Sequence, residues 1–555
     1  MNAKKLLALL LALVLCLGAL AGCNSDPKET TQSTTKATED TTAATTQAAT
    51  EATTEAAPLK NTDIYPLSSD HTFKVVTNFT KVEEADNWNL MVEAIGLDVE
   101  WLPTANEQTQ LLFLDEKSMP DMFMHANSLN INKINEYGQA GLLVNFMDYI
   151  DLMPNLQAWL ETHPYLLDTV TDAEGNFYTL PGYSDHTTMA GNMFYVRLDQ
   201  TRAAGWKELP TTIEDFLLMC EDLQNYYKDV EGYVPFASNG PSNMTYNASI
   251  AQAFFPAFGE LLKPDLTTNN DFTKIEAGFA TEQFKRYITF MHTMYAEGYL
   301  DPECFVNESA TTKAMTNEGK VTMHNHATQL TKDNFASGEL DFQVYPPLTS
   351  QYQTEARYPY PNTYVAKQFM ISTTCPEIEL AVQFMDAFFA TRDNPLNEEG
   401  GIYCWSLELG QEGVDFIINE EEGWYQIQEH EGFDSASAWL QVAGNGTAVV
   451  REWSFYENSG TGLMVKAMGH ANILTPLRVE TFNTGLLKLT QDEQDIYNDA
   501  WTDIKNYLTE MNAAFITGQK DIEAEWDGYV KHLYDIGLQD VIDVYQAALD
   551  RFNSK

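Results

Sequence analysis

Apolar and polar positions alternate along His71–Thr77, with Phe73 and Val75 on one side and Val76 on the other, which predicts a first strand. Asp86–Ile95 carries Trp88, Leu90, Met91 and Ala94 at helical spacing. A second strand is predicted at Leu97–Trp101, a helix at Glu107–Leu114 and a third strand at Pro120–Met124. Strand, helix, strand, helix, strand describes a parallel sheet with helices on its faces. Ligands meet such sheets at the carboxyl ends of the strands. That rule points to Asn78–Thr80 and His125–Ser128.

The pattern changes at Gly175–Trp206. A short aromatic strand, Phe177–Leu180, is expected to break at Pro181-Gly182, and a polar, small-residue stretch leads to a second apolar strand at Met193–Val196. Asp199 opens a helix, and Thr211-x-x-Glu214 is a capping-box signature for the next one, Thr211–Gln224. A strand that leaves one unit and becomes the first strand of another is a hinge between two lobes. Beyond it, Pro235–Ala237 and Lys320–Met323 read as strands, Thr281–Glu297 as a helix stopped by Gly298, Thr363–Ile371 as a strand and Pro376–Ala390 as a helix. The chain ends in helices: one capped by Thr490-x-x-Glu493 and stopped at Gly518, then Asp521–Ile536, stopped at Gly537, then Gln539–Phe552.

Three segments carry a resemblance: "GNFYTLPGY", "MFYVRLDQTRAAGWKELPTTIEDF" and "FATEQFKRYITFMHTMYAEGYLDPE". In order and spacing they resemble bacterial ABC-importer extracellular solute-binding proteins of family 1, the maltodextrin-binding-protein-like sugar receptors. The C-terminal stretch from Phe515 to Phe552 resembles that family's closing helices. The resemblance covers roughly residues 71–555. It implies an α/β, two-lobe periplasmic-binding-protein-like fold of type II. Each lobe would be a mostly parallel sheet flanked by helices, with a ligand cleft between them. By this analogy residues 63–182 and 324–391 form lobe 1, and 183–323 and 392–555 form lobe 2 with the C-terminal helices. The implied function is capture of a carbohydrate, an oligosaccharide, by hinge closure, and delivery to a membrane permease. The protein would be no enzyme, with the ATPase and permease of the importer on other chains, and it would act as a monomer.

Composition sharpens this picture in three places. The 555 residues are 44% hydrophobic, ample for two or more domains. A formal net charge of −48 argues against nucleic acid and anionic lipid surfaces as partners. Residues 1–22 read as a targeting segment: Lys4 and Lys5, then the apolar Leu6–Leu17, then Leu20-Ala21-Gly22 before Cys23. The last four resemble a lipobox, which implies a diacylated Cys23 and a lipid-anchored protein on the extracytoplasmic face of the cell membrane, at a Gram-positive cell surface. Residues 24–58 are Thr-, Ala-, Glu- and Gln-rich and too poor in apolar groups to offset their ordering entropy, so 23–62 reads as a lipidated tether. Of six cysteines, Cys220, Cys304, Cys375 and Cys404 remain, with no C-x-x-C spacing and no disulfide framework expected.

No nucleophile elbow, zinc-protease helix or Walker loop occurs. The chemistry that stands out is aromatic and polar: 12% aromatic residues, including 10 Trp and 27 Tyr. Sugars offer flat C–H faces to rings and hydroxyls to amides, carboxylates and imidazoles, and each buried hydroxyl left unpaired costs about 1–3 kcal/mol. Loops that mix the two types supply the ligand candidates Asn78, Phe79, His125, Asn127, Tyr183, Asn243, Tyr246, His324, Trp405 and Trp453. For any single aromatic among them, core packing is the alternative role. His324 and His326 alternate as in a strand, either bonding in the hinge or holding a metal whose third ligand the sequence does not nominate. Asp265, Thr267, Asn269 and Glu276 match positions 1, 3, 5 and 12 of a Ca²⁺ loop, and the same segment also reads as a polar hairpin turn. No other cofactor is expected. Two rival functions are a surface glycosidase and a receptor for a peptide, a polyamine or an anionic metabolite; an anion would use Arg197, Arg357 or Arg451.

Overall fold

The computed structural model describes residues 60–554 apart from internal stretches, the longest being 185–192, 326–341, 398–411, 431–449 and 458–472. The chain opens with β1 (Thr72–Thr77), α1 (Asp86–Ile95), β2 (Asp98–Pro103), β3 (Met122–Met124) and α2 (Pro154–Thr162). There follow β4 (Pro181–Ser184), β5 (Tyr195–Arg197), α3 (Ile213–Tyr226), β6 (Val234–Ala237), α4 (Ser249–Phe254), the hairpin β7 (Leu266–Thr268) and β8 (Ile275–Ala277), and α5 (Glu282–Ala296). Next come β9 (Val321–His324), β10 (Phe342–Val344), β11 (Tyr358–Pro361), β12 (Tyr364–Ala366), β13 (Met370–Ile371) and α6 (Ile378–Asp386). The last third holds β14 (Phe416–Asn419), β15 (Trp424–Ile427), β16 (Val450–Arg451), β17 (Tyr456–Glu457), β18 (Arg478–Thr481), α7 (Gln491–Ile516), α8 (Ile522–Asp535) and α9 (Leu538–Asn553).

Two four-stranded sheets organise these elements. In the first the order is β13-β3-β1-β2, with β1 parallel to both neighbours and β13 antiparallel to β3. The alternation in β1 is expressed as two buried faces. Phe73 and Val75 join Met122 and Ile371 in one cluster, while Val76 joins Phe123 and Met370 in another. Trp88 of α1 meets Trp101 of β2 edge to face at 5.1 Å, which pins the helix to the sheet. The second sheet has the order β10-β5-β9-β6, with β6 parallel to β9 and β5 antiparallel to both β9 and β10. Its core gathers Phe194, Phe216, Phe236 and Phe254, and then Leu508, Phe515, Trp526, Leu533 and Leu549 from α7, α8 and α9. The terminal helices are thus part of the second core.

Three local readings are corrected. Phe177–Leu180 forms no strand; Phe177 and Leu180 are fully buried in the first core, and the strand is β4, which begins at Pro181. Proline is tolerated as the first residue of a strand because no ladder donor is needed there. The cap of α3 is Thr212, whose hydroxyl accepts from Asp215 N at 3.2 Å, one residue beyond the expected Thr211, whose main-chain carbonyl accepts from Thr349 N and Oγ1. The return to the first sheet comes after Val344 rather than at 324, since β10 pairs with β5 and Phe369 is the next residue in the first core. Elsewhere the capping chemistry is as read. Thr490 and Glu493 bond each other's backbone N–H, Thr281 accepts from Phe284 N, and Gly537, with φ of 104°, takes the left-handed turn between α8 and α9.

The chain crosses between the sheets through two small ones. β4 pairs antiparallel with β12 and parallel with β16; β11 pairs parallel with β18. After β18 the chain touches the first core once more through Leu486, and then α7 enters the second.

A buried polar knot closes the first lobe. The N-cap of α2 is Met153, which has no oxygen to offer. Asp386 supplies one from α6, accepting from Asn155 N at 3.1 Å, Leu156 N at 2.9 Å and Asn155 Nδ2 at 2.9 Å. Asn155 and Asn61 exchange amide bonds at 2.8 and 2.9 Å, tying in the start of the described chain. Burial pushes the Asp386 carboxyl up to about 7 despite those three bonds. A carboxyl raised above its unfolded value near 4 contributes stability that is fully present below that value and lost as pH rises through the folded one. The melting temperature relative to an Asp386→Asn variant should therefore rise as pH is lowered from 8 to 5, measured by calorimetry. A difference that does not vary with pH would refute this reading of Asp386.

Candidate functional site

At the exit of β1 stands Asn78. Its Oδ1 is buried and meets no hydrogen-bond donor among the described residues, an arrangement that costs free energy unless something else supplies the donor. Phe79, His125 and Asn127, the neighbouring candidates, lie outside the described residues.

The second sheet presents a denser set. β9 ends in His324, fully buried, its ring 5.7 Å from that of Tyr195 at an interplanar angle of 28° and 6.3 Å from Phe342. The next residue, Asn325, is also buried and donates from Nδ2 to Ser249 Oγ at 2.9 Å, at the first residue of α4. β6 runs parallel beside β9 and ends one residue before Ser238, whose hydroxyl donates to Gly240 O at 2.9 Å. Gly240 adopts φ of 97°, which turns the chain into a 3₁₀ segment, Pro241–Met244, that contains Asn243. Tyr183 lies in β4, opposite Tyr364 of β12 and Val450 of β16, so it sits where the chain crosses from one sheet to the other. Trp405, Trp453, His326 and Cys23 lie outside the described residues.

Two groups of candidates make contacts within the protein. Tyr246 is 3% exposed and packs edge to face on Phe279 at 5.6 Å, inside the second core. Burial there, with Asp265 nearby, drives its phenol pKa upward. Its ring is a core ring because it faces the helix-packed rear of the loop. The segment Asp265–Glu276 is the β7–β8 hairpin, its tip turned by Asn269, whose Oδ1 accepts from Thr273 N and Lys274 N at 2.9 and 3.0 Å. Asp265 is turned inward to Asn247 Nδ2 and Leu266 N, Glu276 pairs with Lys274 at 2.7 Å, and Thr267 is buried. Among the described residues no three of His, Cys, Asp and Glu gather in a way that could hold a metal ion.

Two of the three arginines named for an anionic ligand, Arg197 and Arg357, are engaged within the protein; the side chain of Arg451 lies outside the described residues. Arg197 pairs with Asp199 at 2.7 Å and lies over the Phe342 ring. Arg357 is 9% exposed. It donates to Glu260 O at 3.1 Å, Pro256 O at 3.2 Å and Gly259 O, which are the orphan carbonyls at the end of a short 3₁₀ turn, and it lies 3.6 Å from the Glu260 carboxylate. It thereby ties the start of the second crossing to the second lobe. Met193, Phe194, Tyr345, Tyr358 and Leu474 line a shallow crevice beside it. Nothing in the sequence around "EARYPYP" marks Arg357 for this task, because its partners are main-chain carbonyls about a hundred residues away. The three described cysteines, Cys220, Cys304 and Cys375, are buried and unbridged.

No protein-family model matches the chain. The fructooligosaccharide ABC transporter substrate-binding protein FusA of Streptococcus pneumoniae is 20% identical over 516 residues, covering 88% of this chain and 92% of that one. An EF-hand mutant of FusA in complex with fructo-nystose superposes with a TM-score of 0.69 at 18% identity, over 87% of this chain and 100% of that one. An extracellular solute-binding protein from Bifidobacterium longum subsp. infantis superposes with a TM-score of 0.67 at 15% identity, over 87% and 99%. The fold is that of the two-lobed solute-binding proteins.

Replacing Arg357 by Met removes this donor from the buried Pro256 carbonyl and from the part-buried Gly259 and Glu260 carbonyls, and the expected loss of stability is roughly 1–3 kcal/mol by denaturant titration. Arg357→Lys should recover only part of it, since an ammonium lacks the planar fork. A Met variant as stable as the parent would remove Arg357 from this role.

Proposed function

We propose that this protein is the solute-capturing component of an ABC importer, that its solute is a carbohydrate, an oligosaccharide, and that it hands that solute to a membrane permease. The observation that carries the reading is the two-lobe fold, held in common with FusA across nearly all of the described chain. FusA is by name a fructooligosaccharide-binding protein, and its relatives here are named as substrate-binding proteins, so the reading is of a receptor and not of a glycosidase. The buried, undonated Oδ1 of Asn78 supports a ligand that supplies hydroxyl groups. His324, Asn325 and Ser238 at the strand exits of the other sheet supply the polar side of the second lobe. A solute that touches both lobes only when they close favours the closed state by its differential affinity.

The sequence features before residue 60 complete the proposal. Cys23 carries the lipid, residues 1–22 are removed, the Thr- and Ala-rich stretch is the tether, and the receptor stands on the extracytoplasmic face of the membrane as a monomer.

A thermal-shift screen with fructooligosaccharides such as kestose and nystose, other neutral oligosaccharides, uronate oligomers and peptides tests the class. At a hundred times its Kd a ligand stabilises by about 2.7 kcal/mol. Stabilisation by peptides alone, with every sugar silent, would overturn the proposal. With a sugar in hand, Asn78→Ala is expected to weaken binding about three- to tenfold, the worth of one hydrogen bond. Tyr183→Ala should weaken it many-fold more than Tyr226→Ala, a change at a ring that is 57% exposed on α3. Calorimetric titrations that find Tyr183→Ala and Tyr226→Ala alike would take Tyr183 out of the site.

A further inference from the structure

The chain that leaves β18 forms a strap that belongs to both lobes. The ring of Phe482 meets Phe552 of α9 edge to face at 5.2 Å and Phe272, in the turn between β7 and β8, at 5.8 Å. Phe482 and Phe552 pack against the first core as well as the second. Asn483 then caps a 3₁₀ turn, Thr484–Leu486, its Oδ1 accepting from Gly485 N at 3.0 Å. That turn lies against β7 and also against a second 3₁₀ turn, Leu166–Thr169, which packs on β4 and β12. Leu486 is buried in the first core, and the very next residue, Leu487, is buried in the second.

Consecutive Cα atoms are about 3.8 Å apart, so the two cores come within one residue of each other here. When two bodies turn on one another, only points near the axis keep their distances to both. A pair of neighbouring leucines fixed in different cores marks such a point, and a contact made beside it resists the turning. Lys488, the next residue, makes that contact. Its main-chain carbonyl accepts from Arg551 Nη2 of α9 at 2.8 Å, and Arg551 is itself held by the Glu493 carboxylate at 2.5 and 2.6 Å. Its side chain reaches the first lobe, where Nζ donates to Thr171 Oγ1 and lies 3.9 Å from the Asp168 carboxylate. One residue thus holds α9 through its backbone and the Leu166–Thr171 segment through its ammonium. The Lys488 and Asp168 side chains are 23% and 25% exposed, so water weakens the pair, and its effect comes from its place beside the axis.

We propose that Lys488 is a positioning residue at the pivot: its tie to Thr171 and Asp168 biases the angle between the lobes, and through that angle it sets solute affinity without touching the solute. This rests on the carbohydrate-receptor reading given above, in which the solute is held by closure.

The test uses the full chain with Lys488→Met, which keeps the length of the side chain and removes the charge and the donor, and with Asp168→Asn. Spin labels on Glu161→Cys in α2 and Glu510→Cys in α7, two exposed positions, report the distance between the lobes without solute. The same labels on the parent sequence are the reference. Calorimetry then measures affinity for the two oligosaccharides that most stabilise the parent protein in the screen, with kestose and nystose in the panel. Lys488→Met is expected to broaden the distance distribution and to change both affinities by one common factor of about two- to fivefold, because a shift in the population that can bind scales every ligand alike. Asp168→Asn should act in the same direction and add nothing to Lys488→Met in the double variant. A role confined to stability would lower the melting temperature and leave distances and affinities alone. Parent-like distances, unchanged affinities, or affinities changed by different factors for the two sugars overturn the inference and leave the receptor reading standing. A parent protein that no sugar stabilises overturns the receptor reading, and the label distances, taken without solute, still decide whether Lys488 ties the lobes.

Discussion

Neither hydrophobic core can be finished by the stretch of chain that starts it. The first core begins with Phe73 and Val75 and is completed by Phe369, Ile371 and the Ala381–Phe389 face; the second begins with Phe194 and is completed by Leu508, Phe515 and Leu549. Burying those late-arriving apolar faces is the driving force for assembly, and it obliges the chain to pass between the two bodies more than once. The crossings are therefore a consequence of how the cores are shared out. Where they run beside one another they satisfy their backbone groups by pairing, β4 with β12 and β16, β11 with β18.

The polar side of the structure follows from the same arrangement. Segments that meet from far apart in sequence bring helix ends and turn carbonyls into buried places where water cannot reach them. Each such place has its own side-chain answer: Asp386 for the start of α2, Arg357 for the turn ending at Glu260, Asn512 for Met244 O. These groups stabilise less by their gross bond strength than by sparing the loss that an unmet donor or acceptor would impose. Asn78 at the end of β1 differs from them, since its buried Oδ1 has no such answer within the described protein. On the function proposed above, that open acceptor is what a solute hydroxyl would meet.

Local pattern was a good guide wherever a segment's environment is made by its own neighbours. The alternation in Thr72–Thr77, the spacing in Asp86–Ile95 and Glu282–Ala296, the Thr490–Glu493 box and the glycine stop at 537 depend on contacts within a few residues, so composition and spacing determine them. The two-lobe architecture was legible for a related reason: strand and helix signals alternate, and the Gly175–Trp206 segment shows a break between two such runs.

What only the tertiary structure decided concerns residues whose surroundings come from elsewhere. Tyr246 and Asn243 share one loop, and nothing in "SNMTYN" says that the tyrosine turns back onto Phe279. Asp265 has the spacing of a cation ligand, but the fold places Asn247 against it, and α3 begins one residue later than its spacing suggests, with Thr212 as the cap and Thr349 paired to the Thr211 carbonyl. The register of β10 against β5 moved the return crossing downstream, since a strand joins whichever sheet leaves its edge unpaired. By itself the sequence determined the elements, their caps and the division into two lobes, because those arise from short-range periodicity and backbone stereochemistry. Which polar side chain serves the fold and which faces the solute was decided by contacts made across hundreds of residues, which no local spacing encodes.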